Sequence, residues 1–310
     1  MEDLLAGAQV PGRSLPDLLE GQMTPFPEAV AAIDAGDVER LRALLDAHPA
    51  LARDRFESFE TPHDFFRSPY LLWFVAEDPV RNDSLPANIA DVARTIVAAA
   101  QGARVASLQE QLDYALRLVS WSWVARRCGV QADLIEVLLD GGARTPETIT
   151  HDALINGNFV GARRLVERGA PLTLATALCL DRWEDADRLA ATATGRDRQV
   201  ALVLCALNGR PEALRRLLAL GIDLDAYSTD IYSHATAVHH AVCSGSLEAV
   251  RVLVEAGADL SIKDRAWDGT PLDWADYYIR EAKEDDGGKA YPEIAAYLRT
   301  RPSPRPPRAT

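Results

Sequence analysis

Thr236-Ala237-Val238-His239-His240-Ala241-Val242-Cys243-Ser244-Gly245-Ser246-Leu247-Glu248-Ala249-Val250 runs on to Gly257-Ala258-Asp259. Gly245 and Gly257 stand twelve residues apart, with the apolar pair Leu253-Val254 at the eighth and ninth places of the stride. The same twelve-residue stride separates Gly209 from Gly221 around Leu217-Leu218, Gly157 from Gly169 around Leu165-Val166, and Val130 from Gly142 around Leu138-Leu139. From Gly36 it leads past Leu44-Leu45 to a helix end near residue 48. A pattern that recurs in this way predicts a stacked repeat, in which each unit buries its apolar face only against its neighbours.

Each stride reads as the second helix of a hairpin, with the ten or so residues before it as the first. Strides start at Gly36, Ala90, Val130, Gly157, Arg182, Gly209, Gly245 and Gly288, with spacings of 54, 40, 27, 25, 27, 36 and 43. The resulting expectation is an all-α solenoid of seven or eight hairpins, irregular in the middle. A lead-in covers residues 1–24, the array residues 25–300, and a Pro/Arg tail residues 301–310. In that tail Arg301 to Pro307 carries an R-x-x-P-x-x-P spacing, which reads as a frayed end.

Residues 236–259 resemble an ankyrin repeat, whose pattern is T-P-L-H-x-A, then a glycine, then a closing G-A-D. Asp268-Gly269-Thr270-Pro271-Leu272-Asp273-Trp274-Ala275 resembles the opening of a further repeat, and Gly36 to Leu45 the second helix of another. The resemblance is specific over 236–275 and loose elsewhere. It implies that the threonine caps the first helix and that His239 ties one repeat to the next through backbone. Asp273 stands where the last unit would carry that histidine. Glycines closing the strides are expected in the left-handed conformation that alanine resists. Small residues such as Ala241 let inner helices approach closely.

The spacings depart from a 33-residue repeat in two directions. At 25 and 27 residues, the units starting at 157, 182 and 209 have no room for an extended finger and are expected as bare hairpins. The 54-residue gap after Gly36 is filled largely by an insertion, residues 52–69, rich in Phe and Asp with His63-Asp64 at its centre. Asn82 to Pro86 reads as a second turn-rich insertion. The stretch from Gly221 to Thr236 is 15 residues, against 13 from Gly257 to Thr270. Trp73, Trp121 and Trp123 lie in the first helices of the least regular units and are expected to fill wider gaps in the core.

Net charge is −13, from 33 basic and 46 acidic residues. That balance argues against the basic face a nucleic-acid binder needs; it permits a protein partner with a basic patch, although acidity more often simply keeps a protein soluble. No apolar run approaches the length of a membrane span. The acidic Met1-Glu2-Asp3 start differs from the basic opening of a secretory signal. Cys128, Cys179, Cys205 and Cys243 show no C-x-x-C spacing and read as small core residues. A cytoplasmic setting follows as the expectation. Acids of the outer helices, such as Asp133, Glu136 and Asp140, read as solvated.

Nucleotide-loop, nucleophile-elbow and H-E-x-x-H motifs are missing, so no cofactor or metal is expected. The fingers carry the stronger functional signal. Tyr227, Tyr232 and Trp267 are expected near the finger tips, away from the helical core and beside acids, a pairing typical of binding hot spots; the alternative is that the long fingers fold back and bury them. With Asp230, His234 and Asp268, and with His240 read either as a groove contact or as a tolerated helix substitution, they form the expected contact set. A non-catalytic protein–protein interaction module, reaching its partner through groove and fingers, is the function these residues and the resemblance imply. The alternative is a small-molecule binder or a hydrolytic or isomerising enzyme. It would use the 52–69 insertion as a lid and His63, His239, His240 or Asp273 as acid and base.

Overall fold

The structure, a computed structural model, describes residues 25–56, 68–77, 80–228, 230–281 and 289–301. The expected lead-in, the centre of the 52–69 insertion with His63, the charged turn before Gly288 and the Pro/Arg tail all lie outside the described residues. Two compact units meet in sequence at Pro171 and Leu172.

In the first unit, α1 (Pro25–Ala35) and α2 (Val38–Ala47) form the opening hairpin. Gly36 turns between them at φ +66°, and any Cβ there would collide with Asn88 and come within 2.9 Å of the Pro86 side chain. Asn88 Nδ2 donates to the Gly36 carbonyl at 2.8 Å, which ties this hairpin to the next repeat. The first helix of that next repeat is reduced to a short 3₁₀ turn, Leu71–Ala76, with all six side chains buried. Its partner is α3 (Ile89–Gly102). Trp73 is in the core as expected, donating Nε1–H to the Gln111 carbonyl at 3.2 Å.

The third repeat opens with α4 (Leu108–Trp121) and α5 (Trp123–Arg127), broken at Ser122 and followed by α6 (Gln131–Asp140). Ser122 Oγ caps α5 by accepting from the Ala125 amide at 3.0 Å. The Gln131 side chain closes the break, donating to the Val119 and Ser120 carbonyls at 2.6 and 3.1 Å. Trp121 and Trp123 flank the break and are part-exposed, not fully buried in the core as expected. The fourth hairpin pairs α7 (Ile149–Ile155) with α8 (Phe159–Glu167).

The insertion leaves the first unit through a closed neck. The Phe56 amide donates to the Pro69 carbonyl at 2.8 Å, Arg55 and Tyr70 bridge as antiparallel partners, and the Arg55 guanidinium lies 4.2 Å from the Tyr70 ring centre. Near Asn82 the turn-rich segment is organised by Glu77, which adopts φ +51°. Its buried carboxylate accepts from the Arg81 amide at 2.7 Å and lies 2.9 Å from the Arg81 guanidinium, which also reaches Asp34 at 2.5 Å. A buried carboxylate held by both backbone donors and a cation is stable where a lone one would not be.

The second unit is four hairpins: α9 (Leu174–Cys179) with α10 (Trp183–Ala190), α11 (Gly195–Leu207) with α12 (Pro211–Leu218), α13 (Ala237–Ser244) with α14 (Leu247–Glu255), and α15 (Pro271–Glu281) with α16 (Tyr291–Arg299). The first helices α9, α11 and α13 sit side by side and are buried on most sides; α11 buries every residue from Val200 to Ala206. Its start is fixed by a reciprocal cap between Thr194 and Asp197. Second helices are amphipathic, with Leu214 and Leu217 buried in α12 and arginines outside. Only four residues separate α10 from α11, so this junction has no finger, as its spacing predicted.

Three stride starts are corrected: Ala90 lies inside α3, whose capping residue is Asn88, and Val130 and Arg182 are each one residue late. Val130 and Arg182 are helix-capping positions, and the left-handed residues before them are Gly129 at φ +72° and Asp181 at φ +58°. Gly129 thus takes the place that Gly157 and Gly209 hold in their units. The expectation of solvated outer acids holds for Asp133, which is exposed, while Glu136 and Asp140 carry ion pairs. Glu136 pairs with Arg164 and Arg168, and Asp140 with Arg168 at 2.8 Å, so both acids join α6 to the next outer helix. Arg216 reaches from α12 to Asp187 on α10 at 3.1 Å. Exposed pairs of this kind contribute little stability individually.

Candidate functional site

Among the described residues of the second unit, two connections are long enough to project as fingers: residues 219–236 before α13 and residues 256–270 before α15. Their paths are set by carboxylates that accept backbone amides. In the first finger Asp223 Oδ1 accepts from the Asp225 amide at 3.0 Å. Asp225 Oδ1 accepts from the Asp259 amide at 2.8 Å, which joins the two fingers, and Asp259 Oδ1 accepts from the Ser261 amide at 2.9 Å. Tyr227 adds a second tie, its hydroxyl donating to the Lys263 carbonyl at 2.7 Å while Arg265 stacks 3.8 Å over its ring centre.

Asp264 is the hub of the second finger. Its carboxylate is buried and accepts four N–H donors: the amides of Ala266, Trp267 and Gly269 at 2.8, 2.7 and 2.9 Å, and the Trp274 indole at 2.9 Å. Burial alone would raise its pKa. The Trp274 indole and the amides outweigh that and hold it below the usual carboxylate value. Sequence reasoning passed over Asp264; the available signal was an aspartate five residues before the glycine of the next D-G-T-P opening.

His239 performs the tie the resemblance implied. Its Nε2 bonds the Gly269 carbonyl at 3.1 Å, and its Nδ1 meets the Thr236 hydroxyl at 2.8 Å. A carbonyl can only accept, so the proton sits on Nε2 and Nδ1 accepts from Thr236. Asp273, in the same place of the last unit, accepts from its own Thr270 amide and hydroxyl at 2.8 and 2.7 Å and reaches no further repeat. Among the described residues no hydrogen bond joins His239, His240 and Asp273 to one another. An open groove of about 670 Å³ lies elsewhere, in the first unit, lined by Val38, Arg42, Leu45, Asp91 and Arg94.

The finger rings form one cluster graded from outside to inside. Trp267 is 43% exposed. Its ring meets His234 edge-on at 5.3 Å and Trp274 at 5.8 Å, and His234 in turn stacks on Trp274 at 6.0 Å. Tyr232 is half-buried at φ +47°, 5.5 Å from His240. His240 is only 2% exposed, so of the expected contact residues it is placed in the interior, and the Tyr232 hydroxyl is buried too. Both lie inside because the 15-residue finger folds back over α13. Asp230 and Asp268 are on the surface, each beside a cation: Arg196 Nε donates to Asp230 at 2.9 Å, and Lys263 lies 2.5 Å from Asp268.

Burial depresses the histidines. His239 falls to about 4, burial outweighing the Gly269 carbonyl and the Asp264 charge. His240 falls to about 3, again through burial first and then through repulsion from His234 and His239. All are neutral near pH 7. The Tyr232 hydroxyl is pushed up by burial and is equally neutral.

Residues 172–264, three hairpins of the second unit and its first finger through to the Asp264 hub, match the family model for ankyrin repeats in three copies. No curated protein matches the chain. Among solved structures the chain is similar to the human ASB11 ankyrin repeat domain, at 16% identity over 90% of this chain and 99% of that one, with a TM-score of 0.38. With the T-x-x-H cap and tie formed at Thr236 and His239, and with left-handed glycines between the helices, residues 172–264 of this chain are ankyrin repeats.

Proposed function

We propose that this protein is a non-catalytic docking module that meets a protein partner through the two fingers of its second unit. Ankyrin repeats generally serve protein–protein interaction, and the observation that supports this location is Trp267. It is a large, half-exposed ring on a backbone whose amides are held by a buried carboxylate, so the side chain is presented without a large ordering cost on binding. Val160 is more exposed, at 66%, but it is a short aliphatic side chain on the outer helix α8.

The test compares Trp267→Ala with Val160→Ala as bait against native lysate. Trp267→Ala is expected to lower recovery of a specific partner about tenfold or more, the effect of losing a hot-spot tryptophan. Val160→Ala should leave recovery unchanged. Equal recovery by both folded variants would remove the fingers from the interface.

A further inference from the structure

Two buried polar atoms in the ring cluster have no hydrogen-bond partner among the described residues: His240 Nε2 and Tyr232 Oη. His240 bonds the backbone of Tyr232 and Ala235, contacts that favour its protonated ring. Backbone contacts that favour the protonated ring are carbonyls, so the donor nitrogen is Nδ1 and Nε2 carries a lone pair. Tyr232 Oη can also accept. An acceptor pair left unmatched inside a protein costs free energy unless something donates to it.

Three further features lie around that pair. The rings of Tyr232, His234, His240, Trp267 and Trp274 are contiguous, with centres 5.3 to 6.2 Å apart. The cluster reaches solvent at Trp267. The two fingers together carry six carboxylates, Asp223, Asp225, Asp230, Asp259, Asp264 and Asp268, against two cations, Lys263 and Arg265. A donor-rich cation is the group that suits all of these at once: it donates to lone pairs, is attracted to ring faces and is drawn by an acidic field. An anion or an acceptor-only group suits none of them.

We propose that the cluster receives a basic side chain, lysine or arginine, of the partner protein, with Trp267 and His234 as its aromatic walls and His240 Nε2 and Tyr232 Oη as its acceptors. This rests on the reading of the fingers as a docking surface. Entry requires the Tyr232 ring to swing aside, since both acceptors are covered in the free protein.

Titration calorimetry with hexalysine, hexaarginine, hexaglutamate and a Ser-Gly hexapeptide, at physiological salt, tests it. One basic peptide is expected to bind saturably, about tenfold more weakly to Trp267→Ala and to His240→Leu. The His240 Nε2 nitrogen signal should shift on binding in the intact protein. Binding of all four peptides alike, lost in Trp267→Ala, would overturn the charge assignment and leave the docking surface standing. Basic-peptide binding unchanged in Trp267→Ala would overturn both. Silence of the Nε2 signal, or no binding of either basic peptide, would overturn the proposal and leave a buried water as the natural partner of the two atoms.

Discussion

Lowering the pH from 7 to 4 is expected to remove about 6 kcal/mol of stability from the second unit, about 3 kcal/mol from each of His239 and His240. The sign follows from proton uptake. Both histidines have folded pKa values below the unfolded value, so between the two values the unfolded chain binds more protons than the folded one. Their contribution is complete above about pH 6.5 and is lost as pH falls, toward 4 for His239 and toward 3 for His240. The groups facing them do not mask this window. Asp264 and Asp273 are depressed carboxylates whose own stabilisation fades only at still lower pH, and the Tyr232 hydroxyl and Cys243 thiol, both pushed up by burial, stay protonated. His234 is also lowered by burial and adds in the same direction. A loss of this size is comparable to the whole stability of many domains. Urea unfolding followed by tryptophan fluorescence at several pH values measures it, and His240→Leu should flatten the slope by about half. Equal stability at pH 7 and 4.5 would show that these rings are not neutral and buried as described.

Asp264→Ala is expected to cost about 3–5 kcal/mol, because four donors lose one shared acceptor and only some of them can turn to water. Asp264→Asn should cost less, since one carbonyl remains while its amide group faces donors. The damage should be local. Amides of Ala266, Trp267 and Gly269 should lose hydrogen-exchange protection, while those of α13 and α14 keep theirs. The same variant should weaken partner binding although Asp264 is buried, since it holds the backbone that aims Trp267. A stability within about 1 kcal/mol of wild type would mean that the finger is held by something else.

Much of this architecture is legible in the sequence, for a physical reason. A tight junction between two helices needs a left-handed residue, and glycine supplies it cheaply, so Gly36, Gly157, Gly209 and Gly245 mark the hairpins directly. Where Asp181 takes that conformation, the signal weakens and the phase slips by one residue. The third repeat slips similarly, because Val130 precedes the helix as naturally as Gly129 does. The 3₁₀ turn at Leu71–Ala76 and the break at Ser122 are set by packing in irregular repeats, which local pattern does not encode. At the site, the sequence identifies the aromatic fingers but not which rings lie inside. That depends on a carboxylate gathering distant donors and on Trp274 filling the space beneath His234, both tertiary effects. His239 was legible because its two bonds repeat a motif; Asp264 was not, because its four donors follow no stride.

We propose that Trp267 on the second finger touches the partner. Site-specific photo-crosslinking in cells tests it most directly, with a benzophenone amino acid placed at position 267 and, separately, at position 160. A discrete covalent adduct with one protein is expected from position 267 and none from position 160, although Val160 is the more exposed of the two. Adducts of equal yield from both positions, or an adduct from position 160 alone, would contradict it.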